Sequence, residues 1–291
     1  MAINIFQNLA AIIFSFPEKA KPSPVLKAIF SPKPILLLMS NFPAKIQQII
    51  DENYEFRFGD YISRGFTLMG RNPGGFIGFF LIFIVISLVL AVIPILGTLL
   101  SVVISPALSI GPYNVAHKVD KNEPNEFGDF FKGFDRLWPL FLTSLLTGLI
   151  VLAAALPGLI IMFSAGFSSF GDGEPSSLIW VGMLLMILPA IYLGVSYIFA
   201  PMFVWFYEME PWPAMEASRK IVSKQWFMVL LFLFAVGLIA MAGLILLGVG
   251  ILYTAPAMIC AIYAAFADVS RLHEESGGEA DLIDHFVPTE R

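Results

Sequence analysis

Charge is scarce in this sequence, and histidine and cysteine are scarcer still. Only 13% of residues are Asp, Glu, Lys or Arg, three are His and one is Cys. The lone Cys260 lies in an apolar stretch, which excludes a disulfide framework and leaves redox compartment unread. His117, His273 and His285 are too few and too scattered for a catalytic metal centre or an intramembrane iron site. Segments such as His273-Glu274-Glu275 and Asp284-His285 read as a solvated acidic tail rather than as metal ligands. No G-x-S-x-G segment offers a nucleophile. A net charge of -5 argues against nucleic acid as a partner. Short alternating apolar segments are missing, which excludes a β-barrel. These absences lead to the expectation of a protein that is not an enzyme, with no metal and no cofactor.

What the sequence has in quantity is apolar length. Hydrophobic residues make up 58% of the chain and mean hydropathy is +0.81, well above a soluble domain. They come in blocks of about 17–25 residues, enough to cross a roughly 30 Å hydrocarbon core as helix. Backbone in lipid must satisfy its own hydrogen bonds, so the blocks are helical. Six spans are expected: Gly75–Ile93, Gly97–Val115, Pro139–Phe163, Leu178–Tyr207, Phe227–Gly248 and Ile251–Ala267. Pro106 bends the second, and Pro189 and Pro201 tilt or kink the fourth. Pro94–Gly97, the Gly/Ser segment Ser164–Ser177 and Leu247–Ile251 are the three connections on one side.

Basic residues test that count. Of 17 Lys and Arg, eight precede the first span, four fall in 118–137, three in 208–226 and two in the tail. The three connections on the opposite side contain none. The positive-inside rule then places both termini in the cytoplasm. Residues 1–74 form an N-terminal pre-membrane segment with pieces too short to span, such as Ile3–Phe16 and Ile35–Met39. Its break at Phe16-Pro17-Glu18-Lys19, with no positive n-region before it, leads to the expectation of no cleavable signal peptide. Within it, Asn41 and Pro43 open a helix running to Ile50, and a second amphipathic helix covers Phe58–Met69 and lies flat on the bilayer. Residues 75–269 form the transmembrane domain, and 270–291 an acidic tail, expected to be mobile from Arg271.

Three hairpin units can be overlaid, each an amphipathic entry, a crossing, a Pro or Gly turn and a proline-bearing return. The return prolines are Pro106, Pro201 and Pro256, with Tyr113 and Tyr263 following two of them at one interval. The order Tyr61, Gly65-Phe66, Asn72 and Phe76, then Ile93-Pro94, Gly97, Pro106 and Gly111, then Asp129-Phe130-Phe131-Lys132-Gly133-Phe134 resembles a family. It is that of the YciC-like bacterial polytopic membrane proteins, similar also to the membrane domain before some glycerophosphodiester phosphodiesterase domains. Pro213-Ala214-Met215-Glu216-Ala217-Ser218 fits the same pattern, so the resemblance spans about 58–270. It implies a bacterial inner-membrane protein of all-α fold and supplies no catalytic residues.

Two groups of residues are candidates for contact. Ser101, Ser105 and Ser109 share one face of the second span, with Tyr192 and Ser196 in the fourth and Tyr253 and Tyr263 in the sixth. They suit helix packing or a polar cavity between hairpins. Arg219, Lys220 and Lys224, with the interface-anchoring Phe130, Phe131 and Phe134, suit lipid headgroups or a partner. The expected function is a scaffold or accessory subunit engaging other membrane subunits or itself. A transporter or lipid-handling protein with a cavity between the repeats is the alternative.

Overall fold

The computed structural model describes residues 44–172, 177–245 and 250–273, all within the unit Phe42–Arg291. Among these residues every regular element is a helix. In chain order they are α1 (Ala44–Asp51), α2 (Phe58–Arg71), α3 (Pro73–Val92), α4 (Pro94–Asp120), a 3-10 helix (Phe127–Arg136) and α5 (Leu137–Asp172). Then come α6 (Leu178–Ser196), α7 (Ala200–Phe206), α8 (Pro211–Lys224), α9 (Trp226–Ile245) and α10 (Ile251–Val269). Six helical stretches are long and apolar enough to cross a membrane, so the protein is an all-α, multi-pass membrane protein. The pre-membrane pieces before Ala44, the cap at Asn41 and the tail from Glu274 lie outside the described residues.

The six pair in sequence, α3 with α4, α5 with α6 and α9 with α10. An amphipathic helix precedes each pair: α2, the 3-10 helix and α8 respectively. Along the spans the apolar side chains face outward, Val92, Ile95, Phe163, Leu184 and Phe234 among them, as lipid contact requires. Exposed Trp138 and Trp212 sit toward one end, and exposed Trp180 and Phe163 toward the other. The packed core therefore gathers where the amphipathic helices meet the bundle. At its centre is α10, whose apolar window is 56% buried against 11% for α3. Its face of small residues, Ala257 and Ala261 among them, lets α2 approach so closely that no side chain fits at Gly65.

The boundaries differ from expectation in four places, each for a physical reason. Pro94 opens α4 instead of making a turn, because its fixed φ suits a first helical residue; only Ile93 separates the two spans. Residues from Ser164 to Asp172 continue α5, since no proline lies between them to block the helix. The expected single span Leu178–Tyr207 breaks at Tyr197–Phe199, and Pro201 stands in the first turn of α7 rather than inside a bent helix. The break is clamped by Ser218 of α8, whose hydroxyl donates to the Ser196 carbonyl (2.8 Å) and accepts from the Phe199 N–H (3.2 Å). Finally, Ser270–His273 do not leave the bundle. Leu272 is buried, and the Ser270 carbonyl accepts from Tyr207 OH at 2.5 Å.

Candidate functional site

Among the described residues, the ion pairs of long sequence reach lie at the end where α1, α2, the 3-10 helix and α8 gather. Two networks stand out. In the first, α2 delivers Arg64 and α4 delivers Asp120, whose two carboxylate oxygens accept from one guanidinium nitrogen at 2.7 and 2.8 Å. His273 Nε2 reaches the same carboxylate at 2.9 Å. Tyr263 OH of α10 donates to it at 3.3 Å and meets His117 Nδ1 at 2.8 Å. The phenol therefore links the imidazole to the carboxylate. Three side chains, Arg64 of α2, Tyr263 of α10 and His273 of the C-terminal turn, thus converge on one carboxylate, with His117 of α4 behind Tyr263.

The second network fixes the 3-10 helix. Asp129 is buried, caps its own helix by accepting from the Glu126 N–H (2.8 Å), and pairs with Lys118 and Lys132, each at 2.8 Å. Asn114 Nδ2 donates to the Asp129 carbonyl at 3.0 Å. The 3-10 helix and α4 touch backbone to backbone, for a Cβ at Gly111 or Gly133 would strike the carbonyl of Phe130 or Ala107. Asn72 joins the layers: its carbonyl oxygen caps α3 through Gly75 N–H, while Nδ2 donates to Asn125 Oδ1 at 2.7 Å.

Both ends of the described chain are tied here. Lys224 Nζ donates to the Glu52 carbonyl, Gln225 to the Tyr54 carbonyl (3.0 Å) and Arg271 to the Glu52 carboxylate (2.5 Å). Hydrogen bonds from Gln48 and then Arg271 hold the Glu52 carboxyl below the ordinary range. Arg57 pairs with Asp268, which also accepts from Tyr61 OH at 2.6 Å. Burial first, then the bond to Asp268, pushes the Tyr61 phenol up, so it stays a donor.

The residues singled out in the sequence do not form one site. Ser105 and Ser109 line an open groove of about 450 Å³ between α4 and α5, joined there by Ser144. Ser101 and Ser109 turn their hydroxyls back on the Thr98 and Pro106 carbonyls, each at 2.8 Å. Tyr192 is exposed beside Trp226, and Tyr253 stacks on Phe66. Tyr263 is fully buried in the Asp120 network, and Ser196 is buried at the α6–α7 break. Among the charged candidates, Arg219 and Lys220 pair with Glu216, and Lys224 holds the segment before α2. Phe130 is a correction: it is buried against Phe76 and Phe79, where it cannot anchor to lipid. Phe131 is half-buried against Phe79, and Phe134 alone of the three is exposed. Arg64, Asp120 and Asn114 were not singled out. The available signal was position, for Asn114 and Asp120 lie toward the polar end of a long apolar helix and Arg64 on the polar side of an amphipathic one.

Among the described residues no three of His, Cys, Asp and Glu are placed to hold a metal ion. What fold and site define together is a six-span membrane protein whose charged side chains lock interfacial helices onto one end. Compared with protein-family models, curated proteins and solved structures, the chain matches none.

Proposed function

We propose that this chain is a non-enzymatic scaffold or accessory subunit of a membrane assembly, set in a bacterial inner membrane with both termini cytoplasmic. The reading keeps the likeness to the YciC-like group. What carries it is the platform at the polar end. Ion pairs such as Arg64–Asp120 and Arg271–Glu52 are spent on joining interfacial helices to the bundle and to each other. A surface fixed in this way ties the segment around Glu52 and the C-terminal turn around Arg271 to one another on a common base. The distribution of Lys and Arg supports the cytoplasmic placement. Its partners are the bilayer and other membrane subunits or further copies. The test is deletion of residues 1–43, which leaves the docked α1 in place. The expected result is an unchanged thermal transition with a changed set of co-purifying proteins, and an unchanged set contradicts the reading.

One observation favours the second reading, a lipid- or solute-handling protein. The groove between the first two hairpins sets Ser105, Ser109 and Ser144 among Val102, Leu145 and Leu149, a polar stripe in an apolar trough. Bulky replacement at Ser105 and Gly148 would then abolish substrate movement in proteoliposomes while leaving the scaffold role untouched.

A further inference from the structure

The polar end carries a recess that the assembly reading does not use. Residues 53–57, on their way into α2, pass over the end of α10 and leave a cleft of about 380 Å³. It is lined by Asn53, Tyr54, Glu55, Arg57, Asp268 and Arg271. Two guanidinium groups line it, each braced by a carboxylate. Arg57 rests on Asp268 through Nη2, and Arg271 on Glu52 through Nη2. The braces are themselves fixed, Asp268 by Tyr61 OH at 2.6 Å and Glu52 by Gln48 at 2.9 Å. Each brace uses one nitrogen of a group that carries five N–H donors in a planar fork. Arg57 also meets the Tyr61 hydroxyl, which leaves further N–H donors of the fork in reserve, and the Arg57 side chain is 53% exposed. Guanidinium groups held from behind with a free edge are suited to bidentate capture of an oxyanion.

The third feature is Glu55. This residue lines the same cleft, is exposed, and has no ion pair or hydrogen bond among the described residues. A simple dianion would meet repulsion there, and a simple cation would meet two arginines. The complement of two free guanidinium edges and one free carboxylate is a zwitterion with an oxyanion and a hydrogen-bonding ammonium. Beside the cleft, Phe56 and Phe58 pack on Phe232 of α9, giving an apolar flank at the start of α2.

We propose that this cleft binds a phosphoethanolamine group, with its phosphodiester on Arg57 and Arg271 and its ammonium on Glu55. That chemistry has two sources, the headgroup of a membrane phospholipid or a water-soluble phosphoethanolamine ester.

The experiment uses the full chain in phosphatidylcholine nanodiscs doped with phosphatidylethanolamine or phosphatidylglycerol, with retained lipid read by native mass spectrometry. Phosphatidylethanolamine is expected to be retained over phosphatidylglycerol by about tenfold, and the paired Arg57→Lys and Arg271→Lys changes to reduce its retention by about tenfold. Lysine keeps the charge on Asp268 and Glu52, so an unchanged thermal transition shows the fold intact. Glu55→Gln, on an exposed side chain, is expected to remove the preference for phosphatidylethanolamine over phosphatidylglycerol while phosphate-dependent retention persists. Displacement of the lipid by soluble glycerophosphoethanolamine identifies the headgroup alone as sufficient; retention against that competitor identifies the bilayer lipid as the source. Equal retention of all three lipids by the wild type, or retention unaltered by both the lysine pair and Glu55→Gln, overturns the proposal.

Discussion

Asp120 takes contacts from Arg64, His273 and Tyr263, and only 8% of its side chain is exposed. Removing its charge leaves Arg64 without a carboxylate and detaches the C-terminal turn. Because Arg64 itself is partly in water, the cost is smaller than for a fully buried pair. Asp120→Asn is expected to destabilise the protein by about 1–3 kcal/mol. Asp129 is the more demanding position, since it caps the 3-10 helix and neutralises the mostly buried Lys118 as well. Asp129→Ala is expected to cost about 3 kcal/mol or more. Thermal unfolding in one detergent ranks the two variants, and a larger loss for Asp120→Asn contradicts this ordering.

Little of that ranking was legible in the sequence. A carboxylate at the end of an apolar helix has the same sequence signature whether headgroups or an arginine solvate it. Arg64 stands 56 positions away on an amphipathic helix, and no local pattern joins the two. The same ambiguity explains Phe130. An aromatic in a polar connection suits an interface or a core equally well, and only the close crossing at Gly111 and Gly133 decides for the core. Apolar length and basic-residue placement, by contrast, are properties of the chain alone, so the spans were readable without tertiary information.

At the scale of elements, the 3-10 helix is held to α4 by the absence of side chains. A methyl at Gly133 would overlap the Ala107 carbonyl, whereas Gly128 on the same helix has open space around its missing Cβ. Gly133→Ala is therefore expected to cost about 2 kcal/mol or more as backbone is forced apart, while Gly128→Ala stays within about 0.5 kcal/mol. Equal effects of the two changes would remove this crossing as a determinant of the fold. The C-terminal turn offers a second contrast. Ending the chain after His273 keeps Leu272 in the core and the contact to Asp120, so stability is expected to hold. Ending it after Ser270 exposes that site and is expected to cost about 2–3 kcal/mol. Matched thermal transitions for both truncations would mean that the turn contributes nothing.

Across the whole molecule, six spans bring all the basic connections to one end, where the interfacial helices, the segment before α2 and the C-terminal turn lock together. Lipid-facing apolar surface occupies the remainder. The platform is the part with a fixed geometry, and it lies where the positive-inside rule places the cytoplasm. Its orientation is the central claim, and labelling tests it directly. Single cysteines are placed at Glu123 and Glu208 on the platform side and at Ile93 and Ser177 on the other; native Cys260 is fully buried and stays silent. With a membrane-impermeant maleimide applied to sealed vesicles, Glu123 and Glu208 are expected to react only from the cytoplasmic face, and Ile93 and Ser177 only from the opposite face. Reaction of Ile93 or Ser177 from the same face as Glu123 would contradict the six-span topology.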